Sequence, residues 1–134
     1  MSLEFEARQK EGITILSLKG RITAGAEASA LRDRMKEIAA EPARVILDLA
    51  GVDYVDSTGL GSLVISFTTL RKAGGELKLL NLSRRNIELL VLTKLTTVFE
   101  IFTDEQDAIN SFFPEREIKP FDILEFVQQG KKES

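Results

Sequence analysis

A chain of 134 residues with 43% hydrophobic and 29% charged side chains holds enough apolar material for one folded domain. Its 18 basic and 21 acidic residues leave a net charge of −3, so no general attraction to nucleic acid or anionic lipid is expected. Cys and His are both absent, which excludes disulfides, thiolate nucleophiles, Cys-based zinc sites and every Ser-His or Cys-His triad. Any catalysis would have to run on carboxylates, lysines, Tyr54 or hydroxyls, and no cofactor is expected.

Residues 1–12 alternate in charge and lack an apolar signal core. The apolar runs, such as residues 89–92, fall far short of the roughly 20 residues that span a bilayer. A cytoplasmic protein without membrane insertion is the expectation.

Residues 3–9 alternate as an amphipathic strand, with Leu3, Phe5 and Ala7 on one face. Glu11-Gly12 reads as a two-residue hairpin turn, and residues 13–18 as a second, more buried strand closed by Gly20. Ala28, Leu31, Met35 and Ile38 give a helix over 26–40, broken by Pro42. Residues 44–49 (RVILDL) form an almost continuous apolar run, the pattern of a strand covered on both faces. The segment 50–56 then connects to a helix over 57–73, which carries Leu60, Leu63, Val64, Phe67 and Leu70 on one stripe and ends at Gly74-Gly75.

A strand over 77–82 follows, then a helix over 84–95 capped by Ser83 and turning Ile87, Leu90, Val91 and Leu95 inward. Residues 98–102 have strand-forming composition. Thr103 and Gln106 have capping-box spacing ahead of a helix bearing Ile109, Phe112 and Phe113, stopped by Pro114. The order β-β-α-β-α-β-α-β-α predicts an α/β fold: one domain over 1–114, with a mixed, mostly parallel sheet of about five strands and about four helices. Residues 115–134 read as a tail with a short amphipathic helix over about 120–129. Its apolar side chains need cover, either from this domain or from a second copy or partner; the second case includes a homodimer.

The stretch Tyr54 to Gly61 (YVDSTGLG) carries the functional signal. Ser57 stands where a loop enters a helix and suits the N-cap position. The first N–H groups of a helix lack internal partners, so a phosphoryl group on Ser57 would meet them and add roughly −1.5 to −2 charges. The plainer reading is a helix cap at Ser57, with Gly59 and Gly61 as packing glycines. From Ser57 through Leu70 no residue is charged, a gap that chance gives at a chosen place about one time in a hundred. The face away from the apolar stripe, through Thr58, Ser62, Ile65, Ser66 and Thr69, is uncharged and small. It fits either the charge-depleted centre of a protein interface or a helix buried on both sides.

The strand-turn-helix VILDLAGVDYVDSTGLGSL, preceded by a hairpin and helix and followed by KAGGELKLLNLS, resembles the signature of STAS domains. It is most similar to that of the bacterial anti-sigma factor antagonists (anti-anti-sigma factors), and the resemblance covers roughly residues 4–113. It implies that Ser57, directly after Asp56, is phosphorylated by an anti-sigma factor with Ser/Thr kinase activity. The unphosphorylated form would bind the anti-sigma factor and free a sigma factor. Phosphorylation would block that binding, and a PP2C-type phosphatase would reset it. The partner-binding residues are then Asp56, Ser57, Thr58, Gly59, Gly61, Ser62, Ile65, Ser66 and Thr69, together with Thr23. The family pattern G-[ED]-[LIV]-D is here Gly20-Arg21-Ile22-Thr23, so Thr23 replaces an Asp and Arg21 a frequent acid.

The other chemical readings are weaker. Asp48, Asp53 and Asp56 could suggest a carboxylate-pair hydrolase, yet no second acidic motif or Gly-rich phosphate loop accompanies them. Arg84-Arg85 is too small for a nucleic-acid patch. A binding protein and not an enzyme is expected. The alternative within the same resemblance is a constitutive STAS interaction subunit, for example of a transport or lipid-transport complex, with Ser57 never modified.

Overall fold

The computed structural model describes residues 3–116. Five strands form one sheet in the order β1-β2-β3-β4-β5. They are β1 (Glu4–Lys10), β2 (Ile13–Ile22), β3 (Arg44–Val55), β4 (Glu76–Leu80) and β5 (Ile101–Phe102). The β1–β2 pair is antiparallel and the other three pairs are parallel. The helices are α1 (Ala26–Ile38), α2 (Ser57–Lys72), α3 (Arg84–Leu92) and α4 (Glu105–Asn110). The expected α/β class and element order both hold.

The alternation of side chains along β2 builds two cores. Leu16 and Leu18 face one side, where they join Leu47 and Leu49 of β3 and Leu31, Leu63, Leu70 and Leu90 of the helices. Ile13 and Ile15 face the other side, where α4 brings Ile109 and Phe112. Fully burying each such side chain contributes roughly 1.5–3 kcal/mol before entropy is counted. Leu60, Leu63, Ile87 and Leu90 are buried as expected, and Phe67 is half-buried with its ring edge-on to Phe99. The hairpin turn also follows the sequence reading, with φ 54° at Glu11 and 79° at Gly12.

Several boundaries differ. β2 does not close at Gly20: it runs to Ile22, and β3 runs past Leu49 to Val55. The two strands remain paired through register shifts between Ser17 and Lys19 and between Gly20 and Arg21. Such bulges interrupt the two-residue period, so the extension carries no simple alternation to read. The helix expected to reach residue 95 ends at Leu92, and Lys94 takes a left-handed φ of 61°. A short 3-10 turn (Leu95–Thr97) follows, and the expected strand over 98–102 narrows to Ile101–Phe102. Thr103 is not the cap of α4; the Asp104 carboxylate accepts from Asp107 N–H at 2.9 Å instead.

Lys78 is an unexpected interior charge, only 6% exposed. Its ammonium donates to Ser111 Oγ at 2.8 Å, pairs with Glu100 at 2.9 Å and lies 4.3 Å from the centre of the Phe112 ring. It ties β4 to the end of α4. Arg116 pairs with Glu11 at 2.8 Å and closes the described chain against the hairpin. The expected tail helix over 120–129 lies outside the described residues.

Candidate functional site

The site forms where β3 hands over to α2. Asp56 is extended, with φ −91° and ψ −179°, and its carbonyl accepts from Leu60 N–H at 2.8 Å. One carboxylate oxygen accepts from Gly59 N–H at 2.7 Å and the other from Ala24 N–H at 3.1 Å. Asp56, and not Ser57, is therefore the N-cap. The correction is one residue in length but changes the chemistry of the corner. The same carboxylate that caps α2 also holds the loop between β2 and α1, and Asp56 N–H donates to Ile22 C=O at 3.3 Å.

These contacts favour the ionised form. The Gly59 N–H first, and then the Ala24 N–H, hold the Asp56 carboxyl below its ordinary value of 3.8. A depressed carboxyl stabilises the fold above its unfolded value, and that contribution is lost as pH falls through the folded value. The gap in thermal midpoint between the wild type and Asp56→Ala should accordingly be constant above ~pH 5 and close progressively below ~pH 4. A gap that is independent of pH down to ~pH 3 would contradict this role for the carboxylate.

With the cap assigned to Asp56, Ser57 becomes the first helical residue. It is exposed, and its hydroxyl has no hydrogen-bond partner among the described residues. Ser57→Ala should then change stability by no more than about 0.5 kcal/mol, the range of an ordinary surface substitution. Urea unfolding would check this, and a loss above about 1 kcal/mol would restore Ser57 as a cap.

Thr58 is exposed beside Ser57. Gly59 is buried, and a Cβ built on it would lie 1.8 Å from the Ile22 carbonyl oxygen. Gly61 faces open space, with nothing within 4 Å of a built Cβ. Of these two, Gly59 is thus the packing glycine.

The uncharged face divides into two. Ser62 and Ser66 are 0% exposed, which removes them from any free surface. Their hydroxyls donate to the Gly59 carbonyl at 2.6 Å and the Ser62 carbonyl at 2.7 Å, so the helix itself satisfies them. Gly59, Ser62 and Ser66 make a stripe of small residues on a helix whose neighbour in the same layer is α1. Ile65 remains 46% exposed, an unusual value for a large apolar side chain, and Thr69 is half-buried. The open part of the face is therefore Ser57, Thr58, Gly61 and Ile65. Thr23 is half-buried in the loop that Asp56 holds, and its carbonyl accepts from Ala28 N–H at 3.1 Å. That loop brings Thr23 to the Ser57 corner.

One neighbouring cluster carries no signal in the sequence. The Arg85 guanidinium lies 4.5 Å from the centre of the Tyr54 ring, and Arg21 is the register partner of Tyr54 across β2 and β3. Two of the three carboxylates weighed for hydrolysis have other roles. Asp48 accepts from Ala50 N–H and Asn81 Nδ2, and Asp56 is the cap. Among the described residues, no group of three or more acids could hold a metal ion, and no helix is long and apolar enough to cross a membrane.

The family model described as "STAS domain" matches residues 4–108. The anti-sigma-B factor antagonist of Bacillus subtilis is 33% identical over 109 residues, covering 81% of this chain and 99% of that protein. An anti-sigma factor antagonist from Mycobacterium paratuberculosis has a similar fold, with a TM-score of 0.71 at 22% identity over 81% of this chain and 92% of the other. The Bacillus cell fate determinant SpoIIAA, solved in its phosphorylated form, gives a TM-score of 0.62 at 18% identity, over 81% of this chain and 99% of the other. The chain belongs to the STAS domain family, among the bacterial anti-sigma factor antagonists.

Proposed function

We propose that this chain is a phosphorylation-controlled binding protein. Unmodified, it binds an anti-sigma factor through the corner around Ser57 and so frees a sigma factor. The anti-sigma factor's own Ser/Thr kinase activity then transfers the γ-phosphoryl of ATP to Ser57 Oγ, with ADP as the leaving product, and binding is lost. A PP2C-type phosphatase hydrolyses the phosphoserine and restores the binding form.

The observation that carries this reading is the Ser57 hydroxyl itself, exposed and unpartnered on a helix start that Asp56 already fixes. A hydroxyl free of structural duty can be modified without disturbing the fold. The Bacillus subtilis relative supplies the kind of partner. The Asp56 carboxylate also sharpens the switch. It already takes the Gly59 N–H, so a phosphoryl group on Ser57 adds roughly −1.5 to −2 charges beside an existing negative charge. Desolvating that corner against a partner then costs more than the helix dipole returns, about 0.3–1 kcal/mol.

The test is to incubate the protein with its anti-sigma factor and ATP, and to map the added phosphate by mass spectrometry. One phosphate at Ser57, absent from Ser57→Ala, is the expected result. Phosphate at Thr58 or elsewhere, with Ser57→Ala labelled as well as wild type, would refute the assignment.

A further inference from the structure

Beside the Ser57 corner, the last turns of the β2–β3 ladder carry Arg21 and Tyr54 as register partners, one step before Ile22 and Val55. Ile22 and Val55 are buried, so Arg21 and Tyr54 leave the opposite face of the ladder; Arg21 is exposed and Tyr54 half-buried. Arg21 has no hydrogen bond or ion pair among the described residues. From α3, Arg85 crosses to place its guanidinium 4.5 Å from the centre of the Tyr54 ring, and is itself exposed. Tyr54, three residues before Ser57 in the chain, thus has one cation over its ring and another as its strand register partner. Asp56, the acid nearest in sequence to Ser57, is already occupied by the N–H groups of Gly59 and Ala24. Two further acids lie close in sequence, Asp53 beside Tyr54 and Glu88 one turn along α3 from Arg85; both are exposed, and among the described residues neither forms an ion pair with Arg21 or Arg85.

We infer that Arg21 and Arg85, arrayed about Tyr54, form a basic rim that receives an acidic segment of the bound partner protein. A guanidinium presents planar paired donors that match a carboxylate. Stacking on Tyr54 restricts Arg85 before the partner arrives, which lowers the ordering cost of binding. Uncharged contacts through Thr58, Gly61 and Ile65 leave orientation to such rim charges, which act chiefly on the association rate and on the choice of partner. The inference rests on the anti-sigma factor reading and specifies the chemistry of its partner.

The experiment measures association and dissociation rates of the purified anti-sigma factor with wild type, Arg21→Glu, Arg85→Glu, Tyr54→Leu and Ser57→Asp, at low and high salt. Each charge reversal should weaken binding at least tenfold at low salt, mostly by slower association, and the deficit should shrink at high salt. Tyr54→Leu should weaken binding several-fold by releasing Arg85. Thermal midpoints of the two Arg variants should stay near wild type, because both side chains are exposed. Charge-reversal variants that bind within twofold of wild type, or more tightly, would overturn the rim while Ser57→Asp still weakens binding. Failure of the wild type itself to bind would overturn the rim together with the function proposed above.

Discussion

Gly59→Ala is expected to cost at least about 3 kcal/mol, while Gly61→Ala, two positions along the same helix, should be neutral or stabilising by up to about 1 kcal/mol. The added Cβ at Gly59 would sit 1.8 Å from the Ile22 carbonyl oxygen and 2.6 Å from its carbon. Both obstacles are backbone, so no rotamer change relieves them. α2 must move off β2, and that motion strains the Asp56 bonds to Gly59 and Ala24 that fix the corner. Against a total stability of about 5–15 kcal/mol, such a loss is a large fraction of the whole. At Gly61 the new methyl meets nothing within 4 Å, and Ala is the better helix former. Denaturant unfolding of the two variants side by side decides the matter. Equal stabilities would show that α2 does not pack on the Ile22 carbonyl as described.

The fold was legible because its signals are local and periodic. The hairpin turn, the apolar run of β3 and the helical stripe of α2 each lie within about fifteen consecutive residues. Legibility failed where a residue's role is fixed by something distant in sequence. Asp56 and Ser57 are both good N-cap residues, and composition cannot choose between them. The choice is made by Ala24 N–H, which reaches the Asp56 carboxylate from 32 residues away. For Ser62 and Ser66 the sequence leaves two readings open, the centre of an interface or a helix flank buried within the domain. They are buried because each hydroxyl returns to a carbonyl of its own helix, leaving a flank small enough for close packing. The continuation of β2 and β3 past Gly20 and Leu49 was hidden by the register shifts that break the alternation. The Tyr54–Arg85 contact joins two elements with no shared period at all. What the sequence did convey about the site was its place: a hydroxyl at a strand-to-helix junction, the first of fourteen residues without charge.

Ser57→Asp should weaken binding of the anti-sigma factor at least tenfold, about 1.4 kcal/mol, with little change in fold. Ser57 is exposed and unpartnered, so the substitution meets no steric obstacle in the free protein. In the complex the new carboxylate would stand beside that of Asp56, and two like charges would be desolvated together. Ser57→Asn has nearly the same shape without the charge, and should bind within a few-fold of wild type. Calorimetric titration of the three proteins separates charge from size. Equal weakening by Asn and Asp would mean that bulk, and not charge, closes the site. Wild-type affinity in Ser57→Asp would mean that Ser57 lies outside the interface.

The most direct test is the affinity of the anti-sigma factor for this protein phosphorylated at Ser57 alone, compared with the unmodified protein and with the same sample after phosphatase treatment. Phosphoserine brings roughly −1.5 to −2 charges where Asp brings one, so the loss should exceed that of Ser57→Asp and be fully restored by dephosphorylation. Equal affinity of the phosphorylated and unmodified forms would contradict the switch, whatever the fold and the family.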